Sequence, residues 1–148
     1  MPLVAKLARR RPAEWLLAAE ALVLLSLFHV ALRLIPVHRV ITTLCRGRGS
    51  DPLQAGAPID ARAREVSLRV RWAVESVSRN APARFVCFPQ ALAGYAMLRR
   101  RGVPSTIVYG VARSAAGALI AHTWLTVGDR TVLGGDGSSA FRAMEWWS

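Results

Sequence analysis

A chain of 148 residues, 53% of them hydrophobic, has enough apolar material for one core and is far from the composition of a disordered polymer. Its 20 basic residues, nearly all arginine, outnumber 9 acidic ones for a formal charge of +11, which favours an anionic partner: nucleic acid, a membrane surface or an acidic polypeptide. Two cysteines and three histidines, with no CxxC pair and no zinc-ligand spacing, exclude a disulfide framework and a zinc module and suit a reducing cytoplasm.

The chain opens on "MPLVAKLARRRPAEW", basic and then apolar in the manner of a signal peptide. No small-residue cleavage site follows, and Glu14 and Glu20 lie inside the region. The spacing predicts a helix over residues 12–35, with Pro12 in its first turn, Glu14 at the positive end of the dipole and Pro36 as its stop. Its uninterrupted apolar stretch, Ala21 to Phe28, is too short to span a bilayer, and Glu20, His29 and Arg33 are costly in hydrocarbon. The helix is therefore expected to lie in a core or against a partner, with contact to a membrane surface as the second reading and a true span as the third.

Cys45 to Pro58, "CRGRGSDPLQAGAP", reads as a loop. A second helix is expected over 59–79, where Ala63, Val66, Val70, Ala73, Val74 and Val77 recur at three- and four-residue steps. A third is expected over 89–101, with an apolar stripe of Ala91, Leu92, Tyr95 and Leu98. Gly102 caps it and Pro104 lies beyond. Strands follow at 105–112, 118–127 and 130–135, the last two joined by a tight Gly128–Asp129 turn. Helices first and an antiparallel sheet after them give an α+β fold.

Pro89 belongs in a first helical turn and pushes Phe88 away from helical geometry, so Cys87 is expected at or just before a helix N-terminus. Unpaired N–H groups and the helix dipole stabilise a thiolate there. A lone cysteine at such a place is more often structural. Alternation puts Ile120, His122, Trp124 and Thr126 on one strand face, and the imidazole among them is either a satisfied core histidine or the base that activates a thiol. A third group should orient that base. Reflection about the Gly128–Asp129 turn sets His122 opposite Gly135, beside Asp136, whereas Asp129 at the turn tip is too far along the strand. Cys45 has two arginines nearby but no histidine motif, and reads as a structural or incidental thiol.

The combination Cys-x-Pro-Gln, Leu-Arg-Arg-Arg-Gly-x-Pro and Ala-His-x-Trp, spread over residues 84–136, resembles the lasso-peptide leader peptidases called B proteins. These are similar to the transglutaminase-like cysteine proteases. The apolar first helix and basic linker, residues 1–58, resemble the family's stand-alone form, which lacks a fused peptide-recognition domain. Residues 59–148 would then be the protease domain, its cysteine helix packed on a small antiparallel sheet. The resemblance implies Cys87 as nucleophile and His122 as general base. Some family members carry an aspartate where this chain has Gly134, and the nearest acid here is Asp136. Gln90 and Trp124 are the candidates for the oxyanion and substrate site. The implied substrate is a ribosomal precursor peptide cut between leader and core. A separate leader-recognition protein and an ATP-dependent cyclase are the implied partners. No cofactor or metal is implied. No aromatic-interleaved basic motif points to nucleic acid. Two other readings stay open: a non-catalytic scaffold for a peptide-modifying complex, and acyl transfer to an amine as in transglutaminases.

Overall fold

The computed structural model describes residues 11–45, 58–81, 86–135 and 141–144. Helices α1 (Pro12–Leu34), α2 (Val37–Cys45), α3 (Ala61–Asn80) and α4 (Cys87–Arg100) precede strands β1 (Thr106–Arg113), β2 (Leu119–Val127), β3 (Arg130–Leu133) and β4 (Arg142–Met144). The sheet is antiparallel with order β3-β2-β1-β4. This is the expected α+β arrangement, with the cysteine helix packed on the sheet.

Helix α1 starts with Pro12 in its first turn and ends where Ile35 turns extended ahead of Pro36. Pro36 also opens the next helix, because its carbonyl accepts the N–H groups of Arg39 and Val40 at 2.9 and 3.4 Å. Against the expectation drawn from Ala21 to Phe28 alone, α1 over its whole length is long and apolar enough to cross a membrane. One face, Leu17, Ala21, Leu25 and Phe28, is buried in the core, where α1 packs on α3 and α4. Glu20 joins the same contact: its carboxylate lies 2.6 Å from Arg101 and 3.3 Å from Arg100.

Asp60 caps α3, its Oδ1 accepting the Ala63 N–H at 2.6 Å. Val70, Ala73 and Val74, all expected on its apolar face, are fully buried. Helix α4 is the central element, burying Ala91, Leu92, Ala93, Tyr95, Met97 and Leu98. A Cβ on Gly94 would stand 2.4 Å from Leu133 and 2.8 Å from Leu125, so the absence of a side chain there lets the helix lie against β2 and β3. The helix ends as expected at Gly102, which has φ +70°. The Gly102 N–H donates to Arg99 O and that of Val103 to Leu98 O, both at 3.0 Å, satisfying two terminal carbonyls.

Helix α2 and strand β4 were not anticipated. The "VITTLC" run is rich in β-branched residues and short, yet it forms a helix, with the Thr43 hydroxyl donating back to Arg39 O at 2.7 Å. The third strand stops at Leu133 and does not reach Gly135. Its register departs from the regular ladder: Val127 pairs Arg130 and Thr126 pairs Thr131, but Leu125 pairs Leu133 in place of Val132. This bulge overturns the expected alignment of His122 opposite Gly135.

Candidate active site

Cys87 is the first residue of α4, after Val86 in an extended conformation. The helix thus begins two residues earlier than Pro89 led us to expect, and Phe88 lies inside it. First-turn N–H groups have no intrahelical acceptor, so a proline in third place removes no hydrogen bond. The first helical bond runs from Gln90 N–H to Val86 O at 3.5 Å. The Gln90 amide is therefore engaged, and the early amides without an intrahelical acceptor are those of Cys87 and Phe88. The Cys87 thiol is free and half-buried at the positive end of this 14-residue helix.

His122 is half-buried on β2. Its Nε2 lies 2.7 Å from the carbonyl oxygen of Gly134. A carbonyl only accepts, so in this contact Nε2–H is the donor, which in the neutral ring leaves the lone pair on Nδ1. The ring stacks on Trp124, with centroids 5.9 Å apart and planes at 26°, and meets Phe141 at 5.1 Å. Two glycines make room for this cluster. At Gly110, across from His122 on β1, a Cβ would stand 2.6 Å from the Trp124 ring. Gly134 has φ +73°, and a Cβ there would stand 2.7 Å from Thr123 O. Together with the bulge, this backbone turns the Gly134 carbonyl toward the imidazole.

The topology sets Cys87 and His122 toward the same end of the sheet. Only residues 101–105 join α4 to β1, so the two run back antiparallel, and Gly94 marks where α4 crosses Leu125. Counting from that crossing, seven helical residues place Cys87 at ~10 Å and three strand residues place His122 at ~10 Å. Among the described residues no hydrogen bond joins the two, and His122 and Trp124 share the sheet face opposite Leu125, which packs on α4. Trp124 is buried and Gln90 half-buried. Asp136 lies outside the described residues. Among the described residues, no group of three or more His, Cys, Asp or Glu is arranged to hold a metal ion.

Gly134, Gly110 and Phe141 were missed as parts of this cluster. An isolated glycine within the strand run "IVYGVA" was the available signal, since it marks a close approach of another group.

Comparison with protein families matches the chain to the transglutaminase-like superfamily over residues 22–145. No curated protein and no solved structure matches it. The match takes in Cys87 on its helix and His122 on its strand, and the chain belongs to the transglutaminase-like superfamily, whose members are usually cysteine proteases or acyltransferases.

Proposed function

We propose that the protein is a cysteine peptidase that removes the leader from a ribosomally made lasso-peptide precursor, freeing the core N-terminus for a separate cyclase. The observation that carries this reading is the free, half-buried thiol of Cys87 at the first residue of α4, within a chain of this superfamily. The motifs around Cys87, Arg99–Gly102 and His122 support the leader-peptidase branch.

In this reading His122 Nδ1 takes the proton from Cys87 Sγ. The thiolate attacks the carbonyl carbon at the leader–core junction. The oxyanion is met by the Cys87 or Phe88 amide, with the Gln90 side chain and Trp124 shaping the site around it. When the C–N bond breaks, the imidazolium returns its proton to the departing core amine. Water, deprotonated by the same imidazole, then attacks the thioester, releasing the leader carboxylate and restoring the thiol. Because His122 lies on the sheet face opposite Leu125 and α4, this step requires the imidazole to come round the end of β2 to Cys87 when substrate binds, not only the tightening of an open contact.

The test is cleavage of a precursor peptide encoded beside this protein, with and without a leader-recognition protein. Cys87→Ala should abolish cleavage, and iodoacetamide labelling of Cys87 should track the loss of activity, while Cys45→Ser stays active. Wild-type cleavage by a folded Cys87→Ala protein would sink the proposal. Product mass separates the acyl-transfer alternative: hydrolysis gives two peptides, and crosslinking gives one product with ammonia lost.

A further inference from the structure

The side of α1 turned away from the core is apolar and uncovered. Leu16, Val23, Leu27, Val30 and Leu34 are 52–78% exposed. From Leu16 to Leu34 they form a strip ~27 Å long on one helix. Exposed single hydrophobics are ordinary, but a continuous strip of this length marks an interaction surface. The two carboxylates of α1 do not belong to it. Glu14 and Glu20 are half-buried, and Glu20 is tied to Arg100 and Arg101. Cations stand at both ends: exposed Arg11 follows "KLARR" in the sequence before the strip, and exposed Arg33 and Arg39 close it.

We infer that this face of α1 docks on an anionic lipid bilayer, the helix lying in the plane of the interface with the body of the protein on the water side. An apolar helical face bounded by arginines matches the acyl–headgroup boundary, where the apolar side chains enter and the guanidinium groups meet lipid phosphates. The buried face of the same helix fixes the orientation. Leu17, Ala21, Leu25 and Phe28 are core residues and Glu20 is held by Arg101, so α1 stays with its domain and lies on the membrane without crossing it. A second copy of the chain is the weaker occupant. Pairing this face with itself sets the arginine-flanked helices of two chains of charge +11 against each other with no exposed carboxylate on α1 between them.

The experiment is co-sedimentation of the full-length protein with phosphatidylcholine vesicles, with or without about one third phosphatidylglycerol. Binding to the anionic vesicles should be at least tenfold tighter and should weaken as salt rises. Val23→Glu/Leu27→Glu, both at exposed positions, should keep the wild-type circular dichroism and lose at least tenfold in vesicle binding. Arg33→Glu/Arg39→Glu should remove the preference for anionic lipid. Cys87→Ala should bind vesicles like wild type, so the inference stands or falls apart from the peptidase reading. Absence of binding to anionic vesicles, or unchanged binding by Val23→Glu/Leu27→Glu, overturns it. So does a wild-type dimer that this double variant converts to monomer without any vesicle binding.

Discussion

At the scale of single residues, the contact between His122 and Gly134 decides which nitrogen is available for chemistry. With Nε2–H held by the carbonyl, the neutral imidazole should show the Nε2–H tautomer in its ring nitrogen-15 shifts. Gly134→Ala adds a Cβ at a positive φ, at a cost of about 1–3 kcal/mol, and should both lower the denaturation midpoint and abolish the tautomer preference. Removing the orienting carboxylate of a serine triad costs about 10⁴ in turnover. Were His122 the base in the proposed scheme, the Gly134 carbonyl would already hold its ring and a thiol would need less help than a hydroxyl, so Asp136→Asn should lose no more than about tenfold. A larger loss with a changed tautomer would give the orienting role to the carboxylate. Cys87 and His122 were legible because a proline and an alternating strand announce where each side chain sits. The Gly134 carbonyl was not, since every residue has a carbonyl and only the fold selects the one that is aimed.

At the scale of elements, the end of α4 was easier to read than its start. Gly102 and Pro104 announced the end of α4 through a backbone geometry that few residues adopt, whereas Pro89 is tolerated anywhere in a first turn and left the start of α4 open by two residues. The short helix α2 and the three-residue β4 were hidden because a β-branched run and a brief segment carry little periodicity. The bulge in β3 was hidden because the fit of Val132 and Leu133 into one core, not a letter in the sequence, sets it. Two glycines of α4 and its cap separate packing from backbone conformation. Gly102 has open space around its missing Cβ, so Gly102→Ala should cost about 1–2 kcal/mol through its positive φ alone, and Gly102→Asn should recover much of that. Gly94→Ala meets fully buried Leu125 and Leu133, and overpacking of about 1–3 kcal/mol should outweigh the gain in helix propensity of about 1 kcal/mol. Urea midpoints of the three variants check the ranking.

At the scale of the whole molecule, α1 is held to α4 by apolar contacts and by the ion-paired carboxylate of Glu20. The Glu20 side chain is 18% exposed and Arg101 30%, so the pair is partly shielded from solvent. Glu20→Gln should lower stability by about 1–2 kcal/mol, between the values for exposed and fully buried pairs. The loss should persist at high salt, as measured by denaturant unfolding, because shielded pairs are screened less than surface ones. The apolar character of α1 was plain in the sequence. Which of its faces enters the core was not, because almost every side of the helix is hydrophobic and only the partner helices choose between them. Glu20 and Arg101 are also 81 residues apart in the chain. At the usual pace of translation, about 5–20 residues per second, that separation lasts roughly 4–16 s. During that interval the nascent chain offers α1 to its surroundings with every face bare, so a chaperone or a bilayer can reach the helix before its own core exists.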